Sequence, residues 1–197
     1  MITVAGGDSH IWGSELADSP HGGPNGYSRS TFPALLAGDN YVCAAYPGIG
    51  NKEIKRRVID ACNPLIYVNL KIIVLVSWSW PSRDNNINSD DDILELQQFL
   101  ELHNILYLFT CVDNCVVTNN LKINWNNWYM FPSGTNPGDT LTPRGFYQWA
   151  VENKYSIGPD GHPLEAAHQD AVLLIKENFN ELVTKLIQPY QIRNTLS

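Results

Sequence analysis

Hydrophobic residues along the chain fall into short continuous runs that alternate with stretches of helical spacing. Ile2 to Ala5 is apolar and closes on Gly6-Gly7, the pattern of a buried strand entering a tight turn. Tyr41 to Tyr46 repeats it, ending in Pro47-Gly48-Ile49-Gly50, and Asn51 to Cys62 follows with Ile54, Val58 and Ile59 spaced for a helix face. Lys71 to Ser77 is continuous and β-branched, as at the centre of a parallel sheet covered on both faces. Ser89 before Asp90-Asp91-Asp92 marks a helix start with acidic residues at its positive end, and Ile93, Leu96 and Leu100 carry that helix to about His103. Ile105 to Cys111 predicts a further strand. Pro163 to Ile187 predicts a long last helix, opened by proline, with Ala167, Ala171, Leu174, Ile175, Phe179, Leu182 and Leu186 on its apolar stripe.

Strand and helix in alternation imply a doubly wound parallel sheet, whose ligand crevice lies at the carboxyl ends of the strands. Candidate site residues are therefore sought just after strands. Between Val112 and Tyr155 the periodicity weakens, and long loops are expected around a short strand near Trp128 to Phe131 and a helix near Arg144 to Asn153. A length of 197 residues with 44% hydrophobic content suits one domain spanning 1–197.

Charge and cysteine content narrow the classes. A net charge of −7 and an isoelectric point near 5.1 argue against a surface that neutralises nucleic-acid phosphates or anionic lipid. The longest apolar run, Ile72 to Val76, is too short to insert across a membrane, and the amino-terminal residues do not pattern as a signal peptide, so a cytoplasmic location is expected. Four cysteines in this length form no disulfide framework, and Cys111 with Cys115 lacks a second pair at zinc spacing; they are expected as buried free thiols. No metal site is predicted: His10, His21, His162 and His168 do not have ligand spacing, and Asp90-Asp91-Asp92 reads as a helix start. Gly22-Gly23-Pro24-Asn25-Gly26-Tyr27-Ser28 has no lysine before its serine and fails as a phosphate loop.

Two segments carry candidate chemistry. Gly7-Asp8-Ser9 follows the first strand and precedes Ile11-Trp12-Gly13-Ser14-Glu15-Leu16, which places a serine hydroxyl where strand turns into helix. There it either caps the helix or faces the sheet's carboxyl edge as a nucleophile beside unpaired N–H groups. Gly158-Pro159-Asp160-Gly161-His162-Pro163 fixes a histidine just before the last helix, with an aspartate two positions earlier that could hold one ring nitrogen while the other meets a serine.

Gly7-Asp8-Ser9 near one end, with Asp160-Gly161-His162-Pro163 near the other, resembles the first and last sequence blocks of the SGNH/GDSL hydrolases. The resemblance implies a three-layer α/β/α sandwich with a central parallel sheet, the flavodoxin-like fold of esterases, lipases, thioesterases and carbohydrate deacetylases. It further implies Ser9 as nucleophile, His162 as base and Asp160 as the base's partner, with no metal or organic cofactor. Pro47-Gly48-Ile49-Gly50-Asn51 is similar to the family's glycine block and implies Gly50 as an oxyanion donor, with Gly48 as the near alternative; glycines there also serve simply to turn the chain.

The third block departs from the family. Where a Gly-x-Asn-Asp-like turn is expected, the chain reads Ser77-Trp78-Ser79-Trp80-Pro81-Ser82-Arg83-Asp84. Ser79 is the positional substitute for the asparagine donor, with Asn51 another source, and Asp8 completes the oxyanion and substrate-binding set. Loss of one such donor costs roughly 10²–10³ in turnover elsewhere. The Asp160 to His162 spacing is also one residue shorter than the family's. Glu165 and His168 have the longer spacing but fall inside the predicted helix, as surface or packing groups.

The expected activity is hydrolysis of an ester, an O-acyl group on a carbohydrate or small molecule. Trp78, Trp80, Trp125, Trp128 and Trp149 are either core or a platform for a sugar ring or acyl chain. The alternatives are a non-catalytic glycan-binding or virion structural module with the same fold, and acyl transfer to an acceptor other than water. The chain also resembles SGNH-like proteins of bacteriophage genomes, which would place it in the host cytoplasm or the virion.

Overall fold

The computed structural model describes residues 1–19, 26–85, 88–133 and 143–187. Most of the glycine-rich segment from Gly22 and part of the long loop before Arg144 lie outside them.

In chain order the elements are β1 (Ile2–Gly6), α1 (Ser9–Trp12), α2 (Phe32–Ala37), β2 (Tyr41–Cys43), α3 (Asn51–Tyr67), β3 (Ile72–Trp78), α4 (Asp90–Leu102), β4 (Leu106–Cys111), α5 (Phe146–Glu152) and α6 (Glu165–Ile187), with a 3₁₀ turn at Pro81–Asp84. The four strands form a wholly parallel sheet in the order β2-β1-β3-β4. β1 and β3 pair from Ile2 opposite Ile72 to Gly6 opposite Val76. The order reverses between β1 and β3, which makes their carboxyl ends the natural place for a crevice.

Alternation along the strands builds two cores. Val4, Ile72, Val74 and Val76 pack with Ile54, Val58 and Cys62 of α3 and with Ile93, Leu96 and Leu100 of α4. Ala5, Ile73 and Leu75 pack on the opposite side with Phe32 and Ala34 of α2, Trp149 of α5, and Ala167, Ala171 and Ile175 of α6. The result is a three-layer α/β/α sandwich, as the alternating pattern predicts. β3 is buried at every position, in keeping with its unbroken apolar run.

Several expected boundaries shift. α3 continues past Cys62 to Tyr67 through Pro64, because Leu65 and Ile66 add to the apolar face packed on the core. α1 is only one turn long, since Gly13 at φ 80° ends it and returns its N–H to the Ser9 carbonyl. α2 has no counterpart in the sequence reading. The predicted strand at Trp128 to Phe131 is reduced to isolated bridges, Trp128 with Phe109 and Phe131 with Arg144. Ser89 does not cap α4 with its side chain; its hydroxyl instead accepts from Asn51 Nδ2 at 2.6 Å. All four cysteines are free, but only Cys62 and Cys111 are buried, and Cys115 is exposed. Among the described residues no helix is long and apolar enough to cross a membrane.

Candidate active site

Ser9 sits at the first position of α1, directly beyond the carboxyl end of β1. Gly7 takes φ 157°, which side-chain-bearing residues rarely adopt, and its want of a side chain also matters for space: a Cβ there would lie 2.4 Å from Ile11 Cγ1. Asp8 caps α1 by accepting the His10 N–H at 3.0 Å. Its carboxylate therefore points back into the protein, and the serine next to it faces a cleft of about 670 Å³.

Across that cleft stands His162, on the loop ahead of α6. Its Nε2 is 2.8 Å from Ser9 Oγ. Its Nδ1 is 2.7 Å from Glu15 Oε2. A carboxylate at Nδ1 fixes the proton on that nitrogen, so Nε2 is the acceptor for the serine hydroxyl. The three groups form a chain of hydroxyl, imidazole and carboxylate with hydrogen-bond contact at both links, the arrangement that nucleophilic catalysis would need.

The carboxylate that meets His162 Nδ1 belongs to Glu15, not to the expected Asp160. Glu15 Oε1 accepts the Asp160 N–H at 2.8 Å, and Oε2 accepts the His162 N–H at 3.1 Å as well as the ring. Asp160 thus enters through its backbone: the loop from Gly158 to His162 wraps around the glutamate, and a spacing of two residues directs the aspartate N–H, not its carboxylate, to the centre. Gly158 makes this close approach feasible, because a Cβ there would lie 2.5 Å from Glu15 Oε1. Burial opposes ionisation of Glu15, but hydrogen bonds from Asp160, the His162 ring and the His162 N–H outweigh it and hold the carboxyl below its usual range. Glu15 itself adopts φ 69°, a left-handed conformation that costs a non-glycine residue energy and is kept where the surroundings impose it.

The other residues expected to stabilise an oxyanion are engaged elsewhere. Ser79 donates its hydroxyl to Asp8 Oδ2 at 2.7 Å, and its single proton cannot also serve a substrate. Asn51 has both ends of its amide occupied: Nδ2 donates to the Ser79 carbonyl and to Ser89, and Oδ1 accepts the Ser79 N–H at 2.7 Å. These residues lock the ends of β1 and β3 to the start of α3. Gly50 is the buried N-cap of α3, with the Asp84 carboxylate where a Cβ would project. Gly48, at φ 76°, lines the cleft with Ser9. Among the described residues neither the Ser9 nor the Gly48 N–H has a hydrogen-bond partner.

Asp8 is wholly buried, which raises its pKa, yet the His10 charge and hydrogen bonds from His10 and Ser79, with Arg83 beyond, keep it ionised far below the usual carboxylate range. His10 Nδ1 lies 2.9 Å from Asp8 Oδ1, while its Nε2 is buried without a partner among the described residues. Its ring is edge-on to that of His162, with centroids 5.0 Å apart, and also touches Trp80 and Tyr147. A second imidazole–carboxylate pair therefore backs the first.

Sequence reasoning singled out Ser9 and His162, which the fold brings together, and missed Glu15, Trp12, Tyr46 and Arg83, all on the cleft wall. The aromatic surface comes from Trp12 and Tyr46, whose ring centroids are 5.2 Å apart, and not from the tryptophans after β3. Trp78 and Trp149 belong to the core, Trp125 and Trp128 pack on each other, and only Trp80 approaches the site. His168 is buried and accepts the Phe32 N–H at 3.2 Å, whereas Glu165 accepts the Ala17 N–H at 2.8 Å. Both hold structure, as expected. Among the described residues no three His, Cys, Asp or Glu side chains converge in a way that could hold a metal ion.

No protein-family model matches this chain, and a search of curated proteins finds no match.

Proposed function

We propose that the protein is a serine hydrolase of carboxylic esters, related to the SGNH/GDSL type. The observation that carries this reading is the continuous contact from Ser9 Oγ to His162 Nε2 and from His162 Nδ1 to Glu15, at 2.8 and 2.7 Å, on the wall of an open cleft.

In the proposed reaction Ser9 Oγ attacks the ester carbonyl and its proton moves to His162 Nε2. The imidazolium is stabilised by Glu15, which stays ionised. Collapse of the tetrahedral adduct breaks the bond to the alcohol, which leaves with the proton from His162, and an acyl-serine remains. Water then repeats the sequence: His162 takes its proton, the acid is released, and Ser9 recovers its hydrogen. Backbone N–H groups of Ser9 and of the turn from Gly48 to Gly50 are the proposed oxyanion donors.

The substrate is proposed to be an O-acyl group on a carbohydrate or small alcohol, with Trp12 and Tyr46 as the surface for its ring or chain. A fluorophosphonate probe is expected to label Ser9 in the intact protein, with labelling abolished in Ser9→Ala and His162→Ala. A folded protein that takes no label would overturn the hydrolase reading.

One observation favours a second reading, a binding module with the same fold: Ser79 and Asn51 are both engaged, so no side-chain oxyanion donor is assigned. That reading predicts ligand affinity unchanged by Ser9→Ala and no turnover of p-nitrophenyl acetate.

A further inference from the structure

Arg83 stands on the wall of the same cleft with hydrogen-bonding capacity that the proposed reaction does not use. It comes from the 3₁₀ turn Pro81–Asp84, just after β3, and its side chain is 26% exposed. Its guanidinium lies over the Trp80 ring, 5.2 Å from the centroid, and Nη1 donates to the Ile49 carbonyl at 3.3 Å. Stacking on an indole and one carbonyl bond hold the guanidinium plane in place before any ligand arrives.

The nearest charge, the buried Asp8, pairs with Arg83 through Nη1 alone. Asp8 Oδ2 is 3.5 Å from Nη1, beyond the roughly 2.7–2.9 Å of a charge-assisted hydrogen bond. Asp8 is already satisfied by the His10 N–H, His10 Nδ1 and the Ser79 hydroxyl. Among the described residues, Nε and Nη2 of Arg83 have no hydrogen-bond partner. Among the described residues lining the cleft, Arg83 is also the one permanent cation, in a chain of net charge −7. Among the described residues, the acidic groups lining the cleft are Glu15, committed to His162 and two N–H groups, and Asp160 on the His162 loop. The cleft thus has a positive wall beside Ile49 and Gly48.

We propose that Arg83 anchors an anionic group of the substrate, so that the cleft selects esters bearing a carboxylate or phosphate near the scissile bond. The proposal rests on Ser9 as the nucleophile; Arg83 adds the substrate class. A planar cation with free donors binds such an oxyanion pair through two parallel hydrogen bonds. At about 670 Å³ the cleft is within the range that encloses a small ligand. It has room for an acyl group at Ser9, a ring against Trp12 and Tyr46, and the anion at Arg83. An O-acylated acidic sugar or an acylated aromatic acid has this layout.

The test compares kcat/KM for 4-acetoxybenzoate, 4-acetoxyphenyl phosphate and the neutral methyl 4-acetoxybenzoate in the wild type, Arg83→Gln and Arg83→Lys. The wild type should prefer an anionic ester by about tenfold or more, the loss or gain expected for one charged hydrogen-bonded contact. Arg83→Gln should bring that ratio close to one, Arg83→Lys should keep part of it, and the larger of the two preferences identifies the anion. No preference in the wild type, or a ratio unmoved by Arg83→Gln, overturns the proposal; an equal loss on all three esters would assign Arg83 to the carbonyl oxygen or to the scaffold. Failure of the hydrolase reading looks different, with no turnover of any ester and no fluorophosphonate label. In that event calorimetry of 4-acetoxybenzoate and its methyl ester with Ser9→Ala protein decides: tighter binding of the acid that is lost on adding Arg83→Gln supports the anion site, and equal or absent binding overturns it.

Discussion

Glu15 and Asp160 are joined by a hydrogen bond beside the His162 imidazole, yet only Glu15 offers the ring a carboxylate. Glu15→Gln keeps the shape but removes the charge that fixes the His162 tautomer and stabilises its protonated form. A fall in kcat of about 10³–10⁴ on an activated ester is expected, by analogy with the loss of the triad acid in other serine hydrolases. Asp160→Asn retains the backbone N–H that Glu15 uses, so its effect in the same assay should be far smaller. The reverse ranking would restore Asp160 as the acid. His168 supplies a pH signature of a different kind. Burial pushes its pKa down from 6.5 to about 3, with the neighbouring His10 adding to the effect. The unfolded chain then binds a proton that the folded chain refuses, so this contribution is intact above pH 6.5 and is lost as pH falls toward 3. The slope is roughly 1.4 kcal/mol per pH unit. Urea midpoints at pH 7, 6 and 5 should fall in the wild type and flatten in His168→Gln, whose side-chain oxygen can still accept the Phe32 N–H.

At the scale of elements, α5 is held by backbone contact. Gly145 precedes it at an ordinary φ of −75°, but a Cβ there would lie 2.3 Å from the Val112 carbonyl carbon and from Asp113 N, atoms that cannot rotate away. Gly145→Ala should destabilise by about 1–3 kcal/mol, seen as a lower Tm. A Tm at the wild-type value would mean that the segment after β4 shifts freely. The strands and the long helices were legible because each carries its own period: Ile72 to Val76 is continuous, and α4 and α6 repeat at helical spacing. α2 was not, since its six residues hold too few turns to show a stripe. At the site, Ser9 and His162 were legible from glycine-rich turns next to elements. Glu15 was hidden because it falls within what resembles one helix from Ser9 to Leu16; the break at Gly13 that swings it toward His162 depends on backbone conformation, which residue spacing does not report. Arg83 and Tyr46 were hidden for a related reason, as their place on the cleft follows from how separate loops meet.

In the whole molecule, stability should be graded from the sheet centre outward. β1 and β3 pair along five positions between two cores, whereas β2 contributes only three residues at an edge. Hydrogen exchange should find the β1 and β3 amides opening only with global unfolding and those of β2 opening earlier. Uniform protection across all four strands would contradict this ordering. The same architecture leaves the candidate site half attached to the first strand and half to the loop before the last helix. The placement of Glu15 six residues after Ser9 has a hereditary consequence. The proposed nucleophile and acid lie on one short stretch of gene, while the proposed base is encoded 153 residues beyond Ser9. A duplicated or recombined copy that keeps the Gly-Asp-Ser turn but has lost the glutamate beyond Gly13 would retain the outward signature of a nucleophile without its acid. In divergent copies of this chain, therefore, the proposed function requires the pair Ser9 and Glu15, and not the serine motif alone.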